Sequence, residues 1–322
     1  AERRQRIRDQ VARLAESVDG VAATPDALLD EVAALCEWPT ALLGWFDAAF
    51  LEVPPEVLVE TMQKHQKYFP VFDKAGALMP CFITVANIES REPGLVRAGN
   101  ERVIRPRFSD AKFFWEQDRK LPLAERQDAL ASVVFQHQLG SVLDKSLRVA
   151  ALARQIADLL GYDADAAERS ARLGKCDLVT LMVGEFASLQ GTMGRYYAQH
   201  DGESPCVVSA MEEQYLPRHA GDQLPRSDCG RALALADRLD SLVGIFAIGQ
   251  RPTGVKDPYG LRRAAIGVLR ILIETPLALD LRDLLEAAAA GYRGLIEADV
   301  AVDEVYGYLL ERLPGYYAEQ GI

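Results

Sequence analysis

Two groups of basic side chains carry the strongest chemical signal in this sequence. Arg97, Arg102, Arg105, Arg107 and Lys112 fall on one short stretch, with Phe108, Phe113, Phe114 and Trp115 interleaved. Cations at that density grip phosphates and aromatic faces stack on unpaired bases, so the pattern suits contact with RNA. Glu101, Asp110, Glu116 and Asp118 dilute the charge, and a solvated helix with its aromatic side in a core would show the same spacing. The second group, Lys256, Arg262 and Arg263, follows the loop Gly249-Gln250-Arg251-Pro252-Thr253-Gly254 and leads into an apolar run. At a helix start these charges oppose the helix dipole by roughly a few tenths of a kcal/mol, a cost that a bound phosphate reverses. Pairing with Asp257 or another acid is the competing arrangement.

Catalytic constellations do not emerge, and no catalytic residue is assigned. The four histidines, His65, His137, His200 and His219, have no evident nucleophile partner, and no G-x-S-x-G elbow occurs. Cys176 is the thiol best placed for activation, because Lys175 beside it would stabilise a thiolate; its other reading is a small helix-packing residue. Gly191 and Gly194 lack the G-x-x-x-x-G-K-[ST] pattern of a phosphate loop. The five cysteines (Cys36, Cys81, Cys176, Cys206, Cys229) are odd in number, scattered and never in a C-x-x-C pair. That spacing argues against disulfides and against zinc, and predicts reduced thiols.

A formal charge of −11 excludes an indiscriminate nucleic-acid binder, so any RNA contact must be local. Membrane insertion is not expected either: the run Ile266 to Ile273 is interrupted by Gly267 and Arg270, far short of the roughly 20 apolar residues a span needs. The opening Ala1-Glu2-Arg3-Arg4 enters a charged helical pattern directly, unlike a secretory signal, which predicts a cytoplasmic chain. The missing initial methionine and the ending Gly321-Ile322 suggest a segment of a longer protein.

The elements that must position these residues are mostly helices. With 322 residues, 49% of them hydrophobic, the chain can hold roughly two domains of about 150 residues. Ile7, Val11, Leu14 and Val18 recur at helical spacing, and Thr24-Pro25-Asp26 predicts a second helix with Thr24 as cap and Pro25 in its first turn. After the apolar stretch Trp38 to Phe50, a helix from Val53-Pro54-Pro55-Glu56 should reach about Lys67 and be closed by Pro70. Val71-Phe72, the turn Asp73-Lys74-Ala75-Gly76 and the run Cys81 to Ala86 read as a hairpin. From Leu95 the pattern is helical, with Pro106, Pro122, Gly161, Pro205, Pro217 and Pro225 as breaks. Leu139 to Leu160 predicts an amphipathic helix, Ala166 to Leu189 one or two more, and Arg231 to Ile248 and Pro258 to Thr275 long apolar ones.

Three stretches resemble a known family. They are Lys64-His65-Gln66-Lys67-Tyr68-Phe69-Pro70-Val71 with Phe82 to Glu89 and Gly99 to Arg107; Lys175-Cys176-Asp177-Leu178 with Met182 to Phe186, Gln190 to Gly194 and His200 to Glu203; and Gly249 to Gly254 with Lys256-Asp257-Pro258 and Leu261 to Ala265. This combination and spacing resemble the β subunit of bacterial tetrameric glycyl-tRNA synthetases. The resemblance implies an α2β2 ligase that joins glycine to tRNA(Gly), with ATP and magnesium used on the α subunit and none in this segment. It implies an α+β, predominantly α-helical fold. Residues 1–128 would form a module similar to a synthetase editing-domain fold, residues 129–275 an all-α, degenerate HD-like domain, and residues 276–322 a helical linker toward an anticodon-binding region. The implied partners are tRNA(Gly) and the α subunit.

An active HD site holds a divalent metal with a histidine on one helix, a His-Asp pair on another and a distant aspartate, each offering a lone pair. Against that implied pattern, Asp144-Lys145-Ser146-Leu147-Arg148-Val149 has lysine or serine at the histidine position, and Lys175-Cys176-Asp177 has lost its imidazole. Asp177 and Asp237 remain. An ammonium offers three donors and no acceptor, so Lys145 and Lys175 would repel a metal; Lys175 with Asp177, or Lys145 with Asp237, should form ion pairs in the relic site. His200-Asp201 is followed by Gly202 and reads as a turn. Three functions stay in contention: an RNA-binding synthetase segment, an HD-type phosphohydrolase, and a scaffold for the α subunit.

Overall fold

Alternation in one strand organises the amino-terminal half. In the computed structural model, which describes residues 2–275, 277–319 and 321, strand β4 (Leu78–Ala86) points Cys81 and Ile83 to one face and Phe82 to the other. It sits in an antiparallel four-stranded sheet, ordered β1 (Val21–Ala22), β3 (Phe69–Phe72), β4, β2 (Thr40–Trp45). Helices α1 (Glu2–Glu16) and α2 (Asp26–Leu35) bring Ile7, Val11, Leu29 and Val32 onto the Cys81 and Ile83 face. On the other face Phe82 stacks on Tyr68, ring centroids 4.5 Å apart. A Cβ at Gly44 of β2 would lie 2.6 Å from the Phe82 ring, so only glycine lets β2 pair this closely.

Several expectations are corrected here. Helix α2 begins at Asp26 with Pro25 as its N-cap residue, so Thr24 stands one residue too early to cap it. Pro70 lies inside β3, where a register shift follows it. The preceding helix runs from α3 (Pro55–Glu60) through a π turn at Thr61–His65, and Lys67 leaves it at φ 59. The stretch from Trp38 contains β2, whose six residues pair with β4 from Thr40↔Ala86 to Trp45↔Cys81. Pro106 does not break its helix: α4 (Pro93–Asp118) runs through it. The lost donor faces the exposed Arg102 side, while buried Ile104, Phe108 and Ala111 anchor the helix on both sides of the proline.

Residues 2–118 form one unit and the described residues from Arg119 onward a second. In the second unit α10 (Asp228–Ala247) is buried almost all round, the mark of a central helix. Around it pack α5 (Val142–Leu160), α6 (Ala164–Leu173), α9 (Pro205–Glu213), α11 (Leu261–Glu274) and α12 (Leu281–Ala290). The remaining helices are α7 (Leu181–Glu185), α8 (Thr192–His200), α13 (Val302–Leu310) and α14 (Leu313–Glu319). A capping box between Ser141 and Asp144 starts α5, and Gly161 at φ 70 ends it.

The unit is not wholly α. Val134–Gln136 (β5) and Gly140–Ser141 (β6) make a two-stranded ribbon, turned by Gly140 at φ 89 and by the Gln136 side chain, which accepts from the Gln138 and Leu139 N–H groups. Not all cysteines are reduced: Cys206 on α9 and Cys229 on α10 form a disulfide, their Cα atoms 5.6 Å apart. A separation of 23 residues matches no sequence motif; only the packing of α9 on α10 brings the pair together. The overall architecture is α+β and mostly helical.

Candidate functional site

Two helices and one turn aim five charged side chains at a common point in the second unit. Lys145 and Arg148 stand three residues apart on α5, Asp237 and Asp240 three apart on α10, so each pair shares a helix face. Lys175 enters from the turn after α6. Lys145 Nζ lies 3.3 Å from Asp237 Oδ1 and 3.1 Å from Asp240 Oδ2, and donates to Ser241 Oγ at 2.8 Å. Lys175 Nζ lies 3.5 Å from the same Asp237 Oδ1 and 4.3 Å from the centroid of the Tyr215 ring. Arg148 Nε reaches Asp240 Oδ1 at 2.8 Å, its guanidinium stacks over Tyr292, and the Tyr292 hydroxyl donates to the Asp240 carbonyl at 2.9 Å. Gly244 makes that contact possible, since a Cβ there would fall 2.1 Å from the hydroxyl.

Asp177 is built differently. Its Oδ2 accepts from the Gly191 N–H at 2.5 Å and the Gly194 N–H at 3.2 Å, while Oδ1 is buried with no hydrogen-bond partner among the described residues. Lys175 makes its ion pair with Asp237, while Asp177 Oδ2 is held by backbone amides.

Burial separates the two carboxyls electrostatically. Burial raises Asp177 to about 6 and outweighs the two amides and Lys175. For Asp237 burial also works upward, but Lys145 and Lys175 together overcome it and hold the carboxyl below the usual range. Lys175 is itself lowered, by burial first and by neighbouring Lys145, against the attraction of Asp237. The same burial pushes the Cys176 thiol up to about 12. Activation by Lys175 is thus overturned: the ammonium faces Asp237 and Cys176 packs in the core.

Both ammoniums face the same Asp237 oxygen, Oδ1. Among the described residues no group of three or more His, Cys, Asp or Glu is arranged to hold a metal. His200 ends α8 and Asp201 follows it in the turn, where its carboxylate accepts from the Leu123 N–H at 2.8 Å.

The basic groups resolve residue by residue. On α4, Arg102, Arg105 and Arg107 are exposed, Arg97 approaches Glu101 at 3.9 Å, and Lys112 pairs with Glu52 at 2.9 Å. Of the interleaved aromatics Phe108 and Trp115 are buried and Phe113 is exposed. At the start of α11 Asp257 is engaged, with the backbone and not with a side-chain cation: its carboxylate accepts from the Leu261 and Arg262 N–H groups at 2.8 and 2.9 Å. The Arg262 guanidinium turns back to the Gly254 carbonyl, and Lys256 and Arg263 are exposed.

A family profile described as glycyl-tRNA synthetase beta subunit matches residues 1–322, and so takes in the basic groups and the lysine–aspartate cluster alike. The chain belongs to this family. It is similar to the glycine–tRNA ligase beta subunits of Chromohalobacter salexigens, 56% identical over 320 residues, and Marinobacter nauticus, 54% over 323. The corresponding protein of Pseudomonas putida is 53% identical over 322 residues. These matches cover 99–100% of this chain and 46–47% of the relatives, so the chain spans a little under half their length.

Sequence reading of this family member misses Arg148, Asp240, Tyr215 and Tyr292, half of the buried network. The signal was present for two of them. Arg148 and Asp240 each lie three residues beyond a residue already singled out, on the same helix face. Tyr215 and Tyr292 come from outside those helices and are not recoverable from spacing.

Proposed function

We propose that this chain is a tRNA-handling, non-catalytic segment of a glycine–tRNA ligase β subunit, contributing tRNA(Gly) binding and subunit assembly. Glycylation with ATP and magnesium takes place on a separate α subunit, in the cytoplasm. The first unit is read as an editing-domain-like module and the helical region 129–275 as an HD-like domain that has lost its metal. The observation that carries this reading is the contact of both Lys145 and Lys175 with Asp237 Oδ1, at 3.3 and 3.5 Å. Two fixed charges there supply what an exchangeable cation would.

Binding of tRNA falls to the exposed arginines, Arg102, Arg105 and Arg107 on α4 and Arg263 on α11, with Arg262 and Lys256 beside it. Titration of the full-length protein with tRNA(Gly) tests this. Arg262→Glu/Arg263→Glu should weaken binding by about tenfold or more with unchanged thermal stability, and should flatten the salt dependence. Unchanged affinity would defeat the assignment. Metal analysis finding one tightly held divalent ion per chain, lost in Asp237→Ala, would restore the phosphohydrolase reading.

A further inference from the structure

A cavity of about 510 Å³ opens beside α11, bounded by the loop after Pro217 and by the segment around α14. Five guanidiniums line it, those of Arg218, Arg262, Arg263, Arg270 and Arg312, with Glu311 as the acid among its walls. The surrounding carboxylates are largely committed. Asp222 holds Arg218 at 3.0 Å, Glu274 holds Arg270 at 2.7 Å, and Asp257 gives its oxygens to the amides at the start of α11.

Arg312 bonds the Tyr308 carbonyl, and burial first and Arg262 next lower it against the attraction of Tyr308, Glu311 and Asp257. Arg270 Nη1 is shut off from solvent and has no acceptor among the described residues. Arg263 is exposed and has no ion pair among the described residues. Positive charge thus converges on one concave space with too few anions to match it.

The rest of the wall is apolar, with Ile266, Gly267 and the largely buried ring of Tyr316. A bare anion would leave that wall unused, and an apolar ligand would leave the guanidiniums unmatched. We propose that this cavity binds one nucleotide, its phosphate held by Arg263 and Arg312 and its base against the Ile266 and Tyr316 wall. Guanidiniums take phosphate oxygens two at a time, and aromatic rings and guanidinium planes stack on bases of any identity. The volume falls in the range of small-molecule sites, about 300–1,000 Å³. The nucleotide is either free or a unit of bound RNA. The proposal deepens the reading of Arg262 and Arg263 as phosphate contacts and rests on it.

Calorimetric titration of the full-length chain, purified without other subunits, with AMP, adenosine and inorganic phosphate tests the site. AMP should saturate a single site, with adenosine and phosphate each about tenfold weaker or more. Arg263→Glu and Ile266→Trp should each cost about tenfold in AMP affinity at unchanged melting temperature. Competition of AMP by a short single-stranded RNA assigns the nucleotide to RNA, and absence of competition assigns it to a free nucleotide. No saturable AMP binding, or binding indifferent to both variants, overturns the proposal. If AMP fails while Arg262→Glu/Arg263→Glu still weakens tRNA(Gly) binding, the cavity assignment falls and the tRNA reading stands. If AMP binds while that variant leaves tRNA affinity intact, the tRNA reading falls instead.

Discussion

Replacing Asp237 with asparagine removes the one carboxylate that two buried ammoniums share. Lys145 keeps Asp240 at 3.1 Å and the Ser241 hydroxyl at 2.8 Å, so most of its compensation survives. Lys175 keeps the face of Tyr215 and the more distant attraction of Asp177, and its side chain is 12% exposed. Stranding one member of a buried pair costs about 3–5 kcal/mol. The Asp237 side chain is 20% exposed, so some hydration remains, and a desolvated cation–π contact retains about 2 kcal/mol. The lower end applies, about 3 kcal/mol lost in Asp237→Asn.

Lys175→Met should instead be neutral or stabilising by about 1 kcal/mol, since it removes a desolvated charge and keeps the stem's packing. The double variant should then recover about 2 kcal/mol relative to the sum of the single changes. Urea unfolding of all four proteins with matched m-values measures this. An Asp237→Asn cost below about 0.5 kcal/mol, or strict additivity, would show that Lys175 does not depend on Asp237.

Three other outcomes follow from the same geometry. Because burial raises Asp177 to about 6 from a reference of 3.8, the folded chain binds a proton that the unfolded chain releases, and stability falls as pH rises from about 4 to 6. Asp177→Asn should abolish that decline while the opposite, low-pH loss from Asp237 persists; urea midpoints between pH 3 and 7 check both. Gly244→Ala drives a Cβ to 2.1 Å from the Tyr292 hydroxyl and 2.5 Å from its ring carbon, so about 3 kcal/mol should be lost and Tyr292→Phe should rescue only part; thermal melts suffice. For tRNA(Gly), Arg102→Gln/Arg105→Gln should reduce the slope of log affinity against log salt by about 2 if each arginine meets a phosphate; an unchanged slope removes α4 from the RNA interface.

The long helices are legible in the sequence because each carries an apolar stripe of period 3.6 between recognisable stops, as Ser141 and Gly161 bracket α5. The hairpin of β3 and β4 is legible because Gly76 and Asp73 dictate its turn. Strand β2 is not, since Leu42 and Leu43 are both half-buried and adjacent, leaving no clean alternation. Pro106 misleads because a proline's cost depends on which side of the helix its lost donor faces, a tertiary property. At the site, residue types foretell that the lysines enter ion pairs, but not that Lys175 meets Asp237, 60 residues beyond the adjacent Asp177. Asp177 turns its Oδ2 to the Gly191 and Gly194 amides instead, a contact 14 to 17 residues away that spacing does not announce.

Why two lysines should persist in a buried place follows from charge balance. With Arg148 they set three fixed cations against Asp237, Asp240 and, when ionised, Asp177. Removing a shared carboxylate strands an ammonium in the interior, and removing the whole network requires several simultaneous changes that also repack Tyr215 and Tyr292. A metal site can empty and refill with conditions. An ammonium pair cannot, so α5, the turn after α6 and α10 stay locked in one arrangement at every metal concentration. For a protein segment proposed to present arginines to a large anionic partner, rigidity that needs no ligand is the useful property, because a preformed surface loses less entropy on binding. On this argument the Asp237→Asn variant, at a residue that lines one cavity with Arg263, should weaken tRNA(Gly) binding as well as stability. Binding that survives that substitution intact would separate the buried network from the surface it supports.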